Sequence, residues 1–224
     1  HRPFFACLAW TTPACAAALA ITFRDGAREA GVIAVCSMGS RGRHDLPEIL
    51  GGGLALIDCD GDGRLDLFVA GMARIGDDAK PLDSPARGNC RLFRNQGARK
   101  FEDWTARAQA SWPRFAMGAA VGDFDADGRD DLFVTAWNGQ RLYRNEGAGR
   151  FVDVTHRAGL DDPEGWSVSA AWGDLDLDGD LDLAIARYVH FDRLQPPFCF
   201  APDGRPDYCG PEDFRALGAR VYRN

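Results

Sequence analysis

Along most of the chain, apolar and polar residues alternate over short runs, and each run is closed by Gly, Asn or Asp. A period of two with such boundaries predicts short β-strands and hairpins, not helices. The runs also repeat. Residues 56–69, 121–134 and 172–185 align without gaps, reading LIDCDGDGRLDLFV, VGDFDADGRDDLFV and WGDLDLDGDLDLAI. Ala55, Ala120 and Ala171 share the column before them, a small residue suited to a crowded inner strand.

A second unit lies between these copies. Arg91-Leu92-Phe93-Arg94-Asn95-Gln96-Gly97 matches Arg141-Leu142-Tyr143-Arg144-Asn145-Glu146-Gly147, and Arg220-Val221-Tyr222-Arg223-Asn224 begins a third copy. Phe101-Glu102-Asp103-Trp104-Thr105 and Phe151-Val152-Asp153-Val154-Thr155 follow the first two, and Ile21-Thr22-Phe23-Arg24-Asp25 is a further copy of that piece. One repeat therefore reads strand, acidic loop, strand, variable connection, strand, Asn-x-Gly turn, strand. The offset is 65 residues from Asp58 to Asp123 and 51 from Asp123 to Asp174. Four-stranded units at such a period predict an all-β chain forming part of a β-propeller. The blades are expected at about residues 54–105, 117–155 and 168–224, the last incomplete, within a propeller segment spanning 21–224. Because the order of pieces opens on a fourth strand at residues 21–25 and ends on a third, the chain is expected to be a fragment of a larger ring.

Each acidic loop has the form D-x-D-x-D-G-x-x-D: Asp58, Asp60, Asp62 and Asp66; Asp123, Asp125, Asp127 and Asp131; Asp174, Asp176, Asp178 and Asp182. Two carboxylates 4 Å apart repel by about 1 kcal/mol in water and about 4 kcal/mol at an effective dielectric of about 20. A hard dication removes that repulsion and takes the oxygens as ligands. The four Asp positions would supply carboxylates, and Arg64, Arg129 and Asp180 a backbone carbonyl each. Gly63, Gly128 and Gly179 allow the sharp turn. With oxygen donors throughout and no His or Cys at a repeated position, about three Ca²⁺ ions are expected. Cys59 falls in the column of Phe124 and Leu175, a packing position. An EF-hand would need a bidentate Glu where Val69, Val134 and Ile185 stand. An unliganded acidic turn is the simpler alternative, weakened by three copies in register.

Composition adds a sign. The 224 residues carry 33 acidic and 26 basic side chains, net −7, which argues against nucleic acid or an anionic membrane surface as partner. Three Ca²⁺ would offset most of that charge. No uninterrupted apolar run reaches the roughly 18 residues of a membrane-spanning helix. Residues 1–20, with an apolar run from Phe4 to Trp10 and the small-x-small triplet Ala18-Leu19-Ala20, suit a clipped export signal; an ordinary apolar segment is the alternative. Seven cysteines without C-x-x-C spacing fit neither zinc nor thioredoxin-like chemistry. Cys199 and Cys209 bracket a Pro/Gly-rich loop and are expected to form a disulfide, with two free thiols as the alternative. The pairing of Cys7, Cys15, Cys36, Cys59 and Cys90 stays open. An extracytoplasmic location follows from these features taken together.

The acidic loops resemble the FG-GAP or VCBS repeats of integrin α-chain propellers. Together with L-[FY]-R-N-x-G and F-x-D-V-T, they look most like bacterial repeat proteins that carry an ASPIC/UnbV domain, akin to cartilage acidic protein. Residues 186–189 and 204–211 are similar to an insertion of that group. The resemblance covers 21–224, departing at Gln109-Ala110, where other copies read Ala-Gly, and in lacking later blades and the C-terminal domain. It implies about seven blades in the whole protein and calcium loops that are mainly structural. Partners, protein or glycan, would bind through the variable connections 71–90 and 187–219. These carry Arg74, Lys80, Arg87, Tyr188, His190, Phe191, Arg193, Phe198, Phe200 and Tyr208; alternatively they only cover neighbouring blades. A propeller enzyme such as a polysaccharide lyase or phospholipase-like hydrolase is the competing function. His44, His156 and His190 are scattered, and neither G-x-S-x-G nor H-E-x-x-H occurs, so a non-enzymatic module is expected.

Overall fold

The computed structural model describes residues 22–33, 44–71 and 90–224. Outside these fall the expected signal segment 1–20, Ile21, Cys36 and most of the first connection, including Arg74, Lys80 and Arg87. The alternating runs form antiparallel strands, as their period requires. β1 (Leu54–Ile57), β2 (Asp66–Val69), β3 (Arg91–Gly97) and β4 (Lys100–Asp103) make one sheet in that order. β5 (Phe115–Gly122), β6 (Asp131–Trp137), β7 (Gly139–Asn145) and β8 (Phe151–Asp153) make the second. β9 (Ser167–Gly173), β10 (Asp182–Arg187) and β13 (Arg220–Tyr222) make a three-stranded third. The first hairpin has one register in all three sheets: Ile57 faces Asp66, Gly122 faces Asp131 and Gly173 faces Asp182. The acidic loops therefore leave their sheets at equivalent points. The fold is all-β, with sheets of the kind that make partial propeller blades.

The sheets stack face to face, and β6 shows how. Leu132 and Val134 pack with Ile57, Phe68 and Leu92 of the first sheet and Tyr143 and Phe151 of the second. Phe133, between them in sequence, points the other way onto Leu183 and Ile185 of the third sheet. Period two thus delivers one strand to two cores, and each such side chain contributes about 1.5–3 kcal/mol on burial. The innermost backbones nearly touch. A Cβ on Gly53 would lie 2.8 Å from the Gly118 Cα, and one on Gly118 would lie 3.1 Å from the Val168 carbonyl oxygen.

The repeated F-x-D piece is bound by its own chemistry. Asp103 and Asp153 ion-pair with Arg91 and Arg141 at 2.6 and 2.9 Å. They also accept the Thr105 and Thr155 N–H, while the threonine Oγ1 atoms accept the Leu92 and Leu142 N–H. The copy at residues 21–25 departs from expectation: Thr22–Asp25 form no strand, and Phe23 is 96% exposed. Its local part does form. Asp25 Oδ1 accepts the Ala27 N–H at 3.0 Å, leading into the helical turn α1 (Ala27–Ala30), as α2 (Thr105–Ala108) follows β4. The ladder is missing because a strand needs a neighbour to pair with, and here α1 lies against β4, with Lys100 Nζ bonded to the Glu29 carbonyl.

The connection after β10 carries a small hairpin, β11 (Cys199–Phe200) and β12 (Pro206–Asp207), closed by the expected Cys199–Cys209 disulfide, Cα–Cα 5.2 Å. Cys59 and Cys90 are free and buried, and burial pushes the Cys90 thiol up to about 11. Part of this connection corrects the sequence reading. Phe191 and Arg193, expected as partner contacts, are buried. Phe191 joins Val189, Trp137, Trp166, Phe115 and Leu46 in an aromatic-rich core at the end of the sheets opposite the acidic loops. A long loop that offers aromatic side chains next to an apolar sheet end folds back onto it. Phe198 and Phe200 remain exposed at 86% and 65%. Among the described residues no helix is long and apolar enough to cross a membrane.

Candidate metal centre

Each acidic loop is wound by its first aspartate. Asp58 accepts the N–H groups of Gly61, Asp62 and Gly63, Asp123 those of Asp127 and Gly128, and Asp174 those of Leu177 and Gly179. The third aspartate, Asp62, Asp127 or Asp178, accepts the N–H two residues on, from Arg64, Arg129 or Asp180. Two left-handed residues close the coil. One is the glycine foreseen from sequence; the other is Gly61, Ala126 or Leu177, at φ 75°, 54° and 65°. Only glycine holds that conformation without strain. Leu177 is exposed, so Leu177→Gly is expected to stabilise the metal-free chain by about 1 kcal/mol, read as a shift of the urea midpoint.

This winding gathers carboxylates. One oxygen from each of Asp58, Asp60 and Asp62 lies within 4.8 Å of the others, and the same holds for Asp123, Asp125 and Asp127 and for Asp174, Asp176 and Asp182. Asp178 and Asp180 stay outside the third group, and Asp66 and Asp131 outside the first two. The buried last aspartate of each loop acts as a staple. Asp66 accepts the Cys59 and Asn95 N–H, Asp131 those of Phe124 and Asn145, and Asp182 those of Leu175 and Asn224. Burial pushes the Asp131 carboxyl up to about 6; Asp125 and Asp127 add to the rise, and its two N–H partners oppose it.

Two repeated residues of the third strand belong to the site and escaped the sequence reading. The asparagine side chain ties neighbouring loops together: Asn145 Nδ2 donates to the Cys59 carbonyl of the preceding loop at 3.2 Å, and Asn224 Nδ2 to that of Phe124 at 2.7 Å. The arginine before it reaches the second aspartate of its own blade. Arg94 binds Asp60 at 2.5 Å and Asp62 at 2.6 Å, Arg223 lies 3.3 Å from Asp176, and Arg144 lies 3.9 Å from Asp125. Their signal was the Arg-Asn column at a fixed place in every copy. Arg64 and Arg129, assigned only a carbonyl from sequence, also pair through their guanidinium groups with Asp62 and Asp127.

The donors are all oxygen, and Asp60 Oδ1 is buried with no hydrogen-bond partner although its carboxylate is only 10% exposed. Buried polar atoms are nearly always paired. An orphaned acceptor among three carboxylates fits a hard cation. A family model described as the FG-GAP-like repeat matches residues 58–134 and, again, 123–185, each span containing two acidic loops. No curated protein matches the chain.

Proposed function

Since this chain belongs to the FG-GAP-like repeat family, we propose that it is part of an extracytoplasmic, calcium-binding β-propeller serving as a binding, adhesion or scaffold module without catalysis of its own. The observation that carries this is the placing of three aspartate groups at equivalent points of adjacent sheets, one of them holding a buried, unpaired acceptor. Asp58, Asp60 and Asp62 in the first loop, Asp123, Asp125 and Asp127 in the second, and Asp174, Asp176 and Asp182 in the third would hold the ions. Bound calcium supplies positive charge that removes carboxylate repulsion and rigidifies the hairpin.

The non-catalytic reading rests on the repeated carboxylates being engaged by backbone N–H groups and arginines of their own blade, as scaffold groups are. The Cys199–Cys209 disulfide supports an oxidising compartment, and residues 1–20 suit an export signal. The exposed Phe198 and Phe200 on the disulfide-closed hairpin suit a protein or glycan partner. The third-strand and F-x-D motifs support a place among the ASPIC/UnbV-bearing, cartilage-acidic-protein-like propellers.

Calcium titration by calorimetry tests the proposal. About three ions per chain are expected, and Asp60→Ala, Asp125→Ala and Asp176→Ala should each remove one. A triple variant that still binds the wild-type number would reject this ligand assignment.

A further inference from the structure

The three loops differ in the cations the chain itself brings to them. From this difference, and resting on the calcium reading above, we infer a graded order of calcium affinity: third loop tightest, second intermediate, first weakest. In the first loop Arg94 is a resident counter-ion that calcium must displace.

Composition sets the gradient. The first loop has four aspartates with Arg64 inside it and Arg94 against it, a net −2; the second has five, counting Asp130, with Arg129 and Arg144, a net −3. The third has five, because Asp180 stands where the others carry arginine, and among the described residues Arg223 is the one arginine paired with it, a net −4.

Geometry runs in the same direction. Arg94 spans Asp60 and Asp62 and is only 18% exposed, so it occupies the space between two intended ligands. Arg144 is drawn away from Asp125 by Glu146, whose Oε1 accepts its Nε–H at 3.0 Å; the first blade has neutral Gln96 in that column. Arg223 is 76% exposed and touches Asp176 from solvent. Only the third group includes the buried last aspartate, Asp182. A guanidinium neutralises carboxylates without ordering them around one point, so each contact it holds opposes the ion. At calcium levels between the extreme constants, the third blade is loaded while the first is held by Arg94.

Each site is measured in the full chain by calcium calorimetry after the other two are silenced by the Asp→Ala changes at 60, 125 and 176. The third site is expected to bind at least about tenfold more tightly than the first. Arg94→Gln should tighten the first site about fivefold or more and leave the third unmoved, and Asp180→Arg should weaken the third about tenfold. Asp180 is exposed, so that change leaves the fold intact, and far-ultraviolet circular dichroism checks Arg94→Gln. Equal constants, or an Arg94→Gln variant that binds no more tightly, would overturn the order. No binding heat at any site would instead overturn the calcium reading itself.

Discussion

Calcium at a hundredfold excess over the weakest site's Kd is expected to raise the unfolding free energy of this chain by at least about 8 kcal/mol, since each of three sites then contributes about 2.7 kcal/mol or more. Without the ion, each loop holds three carboxylate oxygens within 4.8 Å of one another, and every such pair stores about 1–4 kcal/mol of repulsion, depending on how wet it is. Calcium relieves that repulsion only in the wound loop. The unfolded chain keeps no such constellation, so binding energy becomes folding energy. The effect should spread beyond the loops, because β6 sends side chains into both cores and Asn145 and Asn224 tie each loop to the one before it. Calorimetric melting with millimolar calcium, then with excess EDTA, should show one main transition moving by about 2–4 °C per kcal/mol. Magnesium at equal concentration should move it less, since it demands a tighter octahedral shell than a flexible carboxylate loop supplies. An unmoved melt would remove the structural role assigned to the ion.

What could be read in the sequence was what is local and repeated. The period of two, the Asp columns and the Gly after the third Asp are set by neighbours in the chain, so strands, hairpin register and loop positions follow directly. The second left-handed position was hidden because only Gly61 of its three occupants is a glycine; Ala126 and Leu177 adopt the same φ under pressure of the turn. Arg94 and Asp60 lie 34 residues apart and meet only once β2 and β3 pair, so a counter-ion reads in sequence as an ordinary strand polar residue. Residues 22–25 show the opposite failure. Their turn chemistry is local and forms, while their strand depends on a partner and does not. Phe191 and Arg193 were misplaced for the same reason, since nothing near them in sequence reveals the apolar sheet end that buries them.

Arg193→Ala is expected to cost about 3–5 kcal/mol, the range for breaking a buried ion pair by removing one partner. Arg193 Nε donates to Asp45 Oδ2 at 2.5 Å, the two side chains are 4% and 1% exposed, and they join segments 148 residues apart. Asp45 Oδ1 already lacks a partner, so deleting the guanidinium leaves the carboxylate buried with its main counter-charge gone. The pair anchors the connection after β10 beside Trp137, Trp166 and Phe191, making indole fluorescence in a urea titration the natural readout. Joint replacement, Asp45→Leu with Arg193→Met, should recover most of the loss, because two apolar side chains of similar size need no counter-charge in that core. A single variant within about 1 kcal/mol of wild type would mean that the connection is not docked through this pair. The anchor also bears on recognition. The hairpin beside which Phe198 and Phe200 are exposed begins six residues after Arg193, so releasing the anchor frees its near end and should weaken any partner that reads those two rings in fixed orientation.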